Sequence, residues 1–324
     1  MDWSSLDTIW PVSFCECSVI VSVTLLGQQF GEFAFLREEE GSQKRKRLIE
    51  KLVKLVDCLW ERKPVYKELI SMEKLKEVKR ALLNSTFHFS SMYRSWIPKP
   101  NKPGKLRAIT QPNKGDIGCS LPSHLLNIIF DDVFFSFSHG FRKGRGPISF
   151  FLEVQGWGQV DRLIKSDIVG CFDNIDHELL INIIQSYLGK ENQPFFDLIL
   201  AFLKTPIVDK KGRDFLNNEK GIPQGSPLSP VMMNIFLHQL DIRINSFMER
   251  EKSVRYLRYA DDMLFAIKSG VDSEQINHSL KKFFNEVLHD LKLEATSLEL
   301  IRGKSKPRER FVLGLFLSIK LSPW

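Results

Sequence analysis

The run RYLRYADDMLFAI, Arg255 to Ile267, sets two adjacent carboxylates, Asp261 and Asp262, between stretches that otherwise read as buried strand. A buried strand does not tolerate unpaired charge, so the pair is expected at a turn, with the flanking stretches forming the two arms of a hairpin. Two readings of that tip stand open. Asp is a common turn residue, which makes a solvated hairpin sufficient. Paired carboxylates at a tip are also a way to hold a metal ion, and the rest of the chain has to decide between the two.

The 324 residues suffice for one large domain or about two of ordinary size. Hydrophobic residues at 43% and charged residues at 26% fit a folded protein with a sizeable core. The formal net charge of +7 favours a polyanionic partner, nucleic acid before membrane. Cys15, Cys17, Cys58, Cys119 and Cys171 include no CxxC pair and read as free thiols, not as a zinc site. No stretch approaches the ~20 apolar residues of a membrane span. The N-terminus carries Asp2, Asp7 and Glu16 and lacks the basic start of a secretory or import signal, so the expectation is a protein that works where it is made.

The first forty or so residues have no period and end in the charge-dense REEEGSQKRKR. RLIEKLVKLVDCLW then places Leu48, Ile49, Leu52, Val53, Val56, Leu59 and Trp60 on one helical face. A second helix is expected over SMEKLKEVKRALL. WIPKPNKPGKLRAITQPN reads as a hairpin with Lys99, Lys102, Lys105 and Arg107 near its tip. A helical run, LPSHLLNIIFDDVFFSF, is closed by the turn-rich SHGFRKGRGP. RLIKSDIV suits a buried strand ending near Asp167, and the helix after it has Leu180, Ile183, Ile184, Tyr187 and Leu188 in phase and Gly189 as its stop. KGIPQGSPLSPVMMNIFLHQLD is a loop entering a helix, with Ser229 and Pro230 as the expected N-cap pair and Leu228, Val231, Met232, Ile235 and Leu240 on its buried side. An amphipathic INHSLKKFFNEVLHDL follows. A basic loop, IRGKSKPRER, and a strand-like FVLGLFLSIK close the chain.

Three carboxylates thus converge as candidates: Asp167 at a strand end, and Asp261 and Asp262 on a hairpin. Magnesium is usually held by one or two protein carboxylates, with substrate phosphates and waters completing the octahedron. Two such ions about 4 Å apart clamp the attacking and leaving oxygens of a phosphoryl transfer. That chemistry explains clustered carboxylates in a basic protein.

In order and wording, these blocks resemble reverse transcriptases encoded by group II introns. SDIVGCFDNIDHELL resembles the first catalytic palm block, GIPQGSPLSPVMMNIFLHQLD the loop-helix block, and RYADD the Tyr-x-Asp-Asp turn. WIPKPNKPGKLRAI resembles the finger hairpin and SHGFRKGRG the Gly-Phe-Arg element. The resemblance implies an α/β right-hand polymerase fold of fingers and palm, with an antiparallel palm sheet flanked by helices. It implies an RNA-directed DNA polymerase using two Mg²⁺ ions (Mn²⁺ as an alternative), an RNA template such as intron RNA, a DNA or RNA primer and deoxynucleoside triphosphates. No membrane or protein partner is implied. Residue by residue, Asp167, Asp261 and Asp262 match the catalytic metal ligands, the second aspartate of the turn being the less direct one. Phe172 matches the aromatic that crowds the sugar 2′ position. Gln224 and Gly225 match the turn beside the incoming nucleotide, Lys99 and Arg107 the triphosphate grip, and Tyr259 a residue beneath the metal site. Asp173, Asp176 and His177 are expected to cap and orient the helix that begins there.

The expected organisation is a non-conforming extension over 1–45, a helical part of the fingers over 46–95, and fingers and palm over 96–324. Maturase and endonuclease domains are expected to be absent. The last block departs from the family pattern, with Val312 between Phe311 and the Leu313-Gly314 pair. The truncated appearance points to an organelle genome, mitochondrial before plastid, with a bacterial cytoplasm as the alternative. A splicing remnant that binds RNA without catalysis and a retron-type polymerase are the competing readings.

Overall fold

In a computed structural model of the chain, residues 48–62, 71–98, 104, 106–112, 118–209, 214–215, 220–296 and 298–302 are described. Helix α1 (Leu48–Arg62) buries Leu48, Leu52 and Val56 of its expected stripe and leaves Ile49 and Val53 half-buried; Leu55, outside that stripe, is buried as well. Helix α2 (Met72–Leu83) starts where the Ser71 hydroxyl accepts from Lys74 N, buries Leu75, Val78 and Leu82, and packs against α1. The expected hairpin follows as β1 (Met92–Pro98) and β2 (Leu106–Gln111), antiparallel, with Pro98 opposite Leu106 at its outer end.

Helix α3 (Ser120–Phe130) is shorter than the apolar run suggests. Past Phe130 the carbonyls serve Arg142 instead of a helix. Its guanidinium donates to Asp131 O at 2.7 Å, Phe135 O at 2.7 Å and Ser138 O at 3.0 Å, and to Asp131 Oδ1 at 3.0 Å. Helix α4 (Pro147–Gln155) leads into β3 (Val160–Asp167), which ends on Asp167. A single turn, α5 (Cys171–Asn174), then α6 (His177–Leu188) and α7 (Gln193–Leu203) come next. As expected, Asp176 caps α6, accepting from Leu179 N at 2.9 Å.

Two short strands, β4 (Ile207–Val208) and β5 (Asp214–Phe215), complete a first sheet of order β2-β1-β4-β5, with β4 parallel to β1. The finger-like sheet therefore begins at Met92, ahead of the expected boundary at Trp96, and draws strands from beyond β3. Helix α8 (Ser229–Arg250) precedes β6 (Val254–Tyr259) and β7 (Asp262–Lys268); α9 (Ser273–Asp290) and β8 (Glu299–Arg302) follow. The second sheet has the order β6-β7-β3-β8, antiparallel throughout. Ile301 and Arg302, read as loop from sequence, belong to its edge strand. The remainder of the closing basic loop, FVLGLFLSIK and the 1–45 extension lie outside the described residues.

Ser229 is the first residue of α8 and not its N-cap; Leu228 occupies that position, and the Ser229 hydroxyl donates to Pro223 O at 2.7 Å. The buried side of α8 is also wider than one stripe. Met233, Asn234, Phe236, Leu237, His238 and Asp241 are buried too, because α3, α5, α6 and α9 pack around it while β6 covers another side. Cys119 and Cys171 are buried free thiols and Cys58 is a half-buried one, as expected; Cys15 and Cys17 lie outside the described residues. No helix among the described residues is long and apolar enough to cross a membrane.

One polar cluster sits where α8, β6 and the 138–142 loop meet. Arg258 is fully buried, and its Nη2 lies 2.5 Å from Asp241 Oδ2 on α8, also fully buried. The guanidinium further donates to Asn234 Oδ1 at 2.9 Å, Ala260 O at 2.9 Å and Ser138 Oγ at 2.8 Å. Tyr256 OH donates to Asp241 Oδ1 at 3.1 Å. Burial presses the guanidinium towards neutrality, but the Asp241 carboxylate outweighs it and holds Arg258 above its usual pKa. Removing one partner of such a pair strands the other charge. Asp241→Ala should therefore cost about 3–5 kcal/mol in urea denaturation, and Asp241→Leu combined with Arg258→Met should cost less than the single change. A single-mutant cost below about 1 kcal/mol would contradict the reading of a desolvated pair.

Candidate active site

The second sheet aligns the predicted carboxylates by register. Asp167, the last residue of β3, stands directly opposite Asp262, the first residue of β7, and Asp262 stands opposite Tyr259, the last residue of β6. The three form one row at one end of the sheet. Just beyond it, Ala260 and Asp261 make the two-residue turn that joins β6 to β7.

That turn is unusual in its chemistry. Two-residue hairpins need positive φ to follow the right-handed twist of their strands, and glycine or asparagine normally supplies it. Here Ala260 adopts φ +56°, fully buried. Its carbonyl is held by Arg258, and Gly140 lies against its backbone. A Cβ built on Gly140 would stand 2.3 Å from Ala260 N and 2.8 Å from its Cα. Gly140 is fixed in turn by its carbonyl, which accepts from Asn234 Nδ2 at 2.8 Å. The neighbouring backbone is tied as well, His139 N donating to Arg258 O at 2.8 Å and Arg258 N to Phe137 O at 2.9 Å. The Gly-Phe-Arg element therefore supports the turn from beneath.

The three carboxylates differ in their surroundings. Asp261 Oδ1 is buried and meets no hydrogen-bond donor among the described residues. Burial first, then the charges of Asp167 and Asp262, push its carboxyl well above the usual carboxylate range; a backbone hydrogen bond and the Arg107 charge oppose them. Asp262 Oδ1 is engaged by Lys165 Nζ at 3.0 Å. The backbone of Asp167 is anchored by Thr296, whose hydroxyl accepts from Asp167 N at 3.0 Å and whose N–H donates to Asp167 O at 2.8 Å. Among the described residues, no three His, Cys, Asp or Glu side chains form a ready-made metal cage. Asp167 and Asp261 nevertheless fit the modest demand of Mg²⁺ for one or two carboxylates, and a bare, buried carboxylate oxygen suits a hard cation.

The remaining predicted residues are distributed as follows. Arg107 is half-buried on β2 opposite Ile97, close enough for its charge to act on Asp261. Lys99, Lys102 and Lys105 lie outside the described residues. Phe172 is buried on α5, and its carbonyl accepts from Ile222 N at 2.7 Å, which docks the first carboxylate block onto the Gln224 loop. Gln224 O accepts from Thr110 N, while Gly225, at φ +109°, lies so close to β2 that a Cβ would stand 2.8 Å from Thr110 O. The loop thus joins the first sheet to α8. Tyr259 is half-buried and meets the Phe150 ring edge-on at 6.2 Å.

Sequence reasoning missed Arg258, Asp241, Asn234, Gly140 and Lys165. Arg258 had one signal, since it shares the strand phase of buried Val254 and Tyr256. Gly140→Ala should drive a methyl into the Ala260 backbone and cost about 1–3 kcal/mol of stability, checked by thermal melting. An unchanged melting temperature would show that the loop does not bear on the turn.

The profile of the family described as "Reverse transcriptase (RNA-dependent DNA polymerase)" matches residues 97–315. The chain is 31% identical to the "Putative COX1/OXI3 intron 2 protein" of Saccharomyces cerevisiae over 183 residues, covering 56% of this chain and 21% of that protein. It is likewise 31% identical to the "Group II intron-encoded protein LtrA" of Lactococcus lactis over 221 residues, covering 67% of this chain and 35% of that one. The chain therefore spans between about a fifth and about a third of the length of these relatives. Apo telomerase from Candida tropicalis, truncated from its C-terminal domain, matches in fold with a TM-score of 0.52 at 15% identity, covering 67% of this chain and 51% of that one. The expected right-hand polymerase fold, α/β with an antiparallel palm sheet flanked by helices, is thus present. With its palm carboxylates in one row and a family profile over most of its length, the chain belongs to the reverse transcriptase (RNA-dependent DNA polymerase) family and resembles its group II intron-encoded members.

Proposed function

We propose that the chain is an RNA-directed DNA polymerase of group II intron type that extends a primer along an RNA template by nucleotidyl transfer. The observation that carries this reading is the row of Asp167 and Asp262 with Asp261 at the adjoining tip, one buried carboxylate oxygen left bare. Divalent ions bound there, two Mg²⁺ or Mn²⁺, would supply Lewis acidity to the primer 3′-hydroxyl and the α-phosphate. Asp167 and Asp261 would hold them, with Asp262 beside. Arg107, together with Lys99, meets the triphosphate. Gln224 and Gly225 form the wall against which the incoming nucleotide is positioned, and the Phe172 ring crowds the sugar 2′ position. Tyr259 supports the primer end. The 3′-hydroxyl loses its proton to water and its oxygen bonds to the α-phosphorus as the α–β phosphoanhydride bond breaks and pyrophosphate leaves, so the protein contributes positioning and charge stabilisation above all.

Intron RNA is the template class this reading favours, by likeness to intron-encoded relatives. Relatives in a yeast and a bacterium fit an organelle or bacterial origin, with the mitochondrion as the favoured compartment. The organisation read from sequence belongs to the same proposal: an extension over 1–45, fingers from 46, and fingers with palm over 96–324.

Primer extension on an RNA template with Mg²⁺ and deoxynucleotides tests the reading. Asp261→Ala with Asp262→Ala should reduce extension by about a thousandfold or more, since metal Lewis acidity supplies several kcal/mol of transition-state stabilisation. RNA binding should persist and weaken with salt. Salt-sensitive binding by a wild type that never extends a primer would instead favour an RNA-binding remnant.

A pH dependence follows from Asp261. Its carboxyl is raised in the folded state, so its contribution to stability is complete below the ordinary carboxylate value and is lost as pH rises through the elevated one. The metal-free protein should therefore lose stability as pH climbs above about 4, and Asp261→Asn should flatten that fall. Parallel pH–melting curves for the two proteins would contradict the assignment.

A further inference from the structure

Asp261 and Asp262 are neighbours in sequence but not in chemistry. Asp261 presents a buried oxygen to no donor among the described residues, whereas Asp262 Oδ1 lies 3.0 Å from Lys165 Nζ. The Asp262 side chain is only 9% exposed and that of Lys165 29%, so the pair is largely sheltered from the screening that weakens surface ion pairs.

The register explains how Lys165 gets there. Lys165 and Asp167 are alternate residues of β3 and project on the same side of the sheet. Asp167 faces Asp262 across the β3–β7 pair, and Lys165 faces Leu264, two residues further from the turn. From that position a lysine reaches diagonally to Asp262, a distance long side chains span easily. A shorter side chain at 165 would leave Asp262 uncompensated beside two other carboxylates.

We propose that Lys165 is a positioning residue: its ammonium holds Asp262 out of the cation site, so that Asp167 and Asp261 are the carboxylates that ligate the divalent ion. This rests on the polymerase reading above and gives a physical cause, the Lys165 ammonium, for the less direct role that the resemblance implies for the second aspartate of the turn. With Asp262 occupied, the site offers Mg²⁺ the one or two carboxylates it normally takes and leaves positions for substrate phosphates. Without Lys165, the third carboxylate would join them and bind the ion more tightly.

The test uses the full chain with Mn²⁺ as the probe in calorimetric titration, alongside melting curves in chelator. Asp261→Asn should weaken Mn²⁺ binding by about tenfold or more, whereas Asp262→Asn should change it by less than about threefold. Lys165→Met should tighten binding about three- to tenfold by releasing Asp262, and adding Asp262→Asn to it should return affinity to near the wild-type value. Lys165→Arg should behave like the wild type. In chelator, Lys165→Met should melt lower than the wild type, and the double variant should recover most of the loss. An Asp262→Asn loss as large as that of Asp261→Asn overturns the assignment, and so does a Lys165→Met affinity equal to the wild type's. Should Lys165→Met fail to fold, Lys165→Gln, which keeps a polar side chain but removes the charge, takes its place with the same expected tightening and the same overturning result. Absence of Mn²⁺ binding by the wild type itself would overturn the cation site as a whole, and Lys165's role with it.

Discussion

A single buried charge pair organises the centre of this protein. Arg258 and Asp241 are both withdrawn from water, and the guanidinium spends its remaining donors on Asn234, Ser138 and the carbonyl of Ala260. Those partners lie on α8, on the loop before Gly140 and on the turn that carries Asp261. An apolar residue at 258 would pack as well, but it would not fix these three segments relative to one another, because dispersion has no direction and hydrogen bonds do. The pair therefore matters less as a source of stability than as the joint that sets where the turn stands.

With the turn placed, the site follows from strand register. Antiparallel pairing puts Asp167 across from Asp262, so like charges gather at one end of the palm sheet whatever their preference. The protein answers that repulsion unevenly. Lys165 compensates Asp262, Arg107 acts on Asp261 from the fingers, and burial still leaves Asp261 favouring its proton in the absence of a cation. Such imbalance is unfavourable for the empty fold, and an arriving divalent ion would remove it.

Much of this architecture is legible in the sequence alone. The stripe of α1, the β1–β2 hairpin, the strand ending on Asp167 and the carboxylates at a turn all express short-range periodicities of one element. What stays hidden there depends on contacts between elements. Asp241 reads as the polar side of an amphipathic helix, and only the packing around α8 makes that side an interior. Lys165 reads as an ordinary strand residue until the β3–β7 register brings Asp262 within its reach. Gly140 looks like one glycine of a turn-rich loop, yet its missing side chain is what lets Ala260 lie against it. The α3 run stops early where Arg142, in the turn-rich loop that closes it, takes the carbonyls beyond Phe130.

That Asp167 and Asp261 together hold a divalent cation is tested most directly by substituting Fe²⁺ for Mg²⁺ and generating hydroxyl radicals from ascorbate and peroxide. Radicals formed at a bound ion cut the nearest backbone. Cleavage should be confined to the chain near Asp167 and near the Ala260–Asp261 turn, and excess Mg²⁺ should compete it away. Cleavage at other positions, or at these positions without competition by Mg²⁺, would contradict a cation held by this pair.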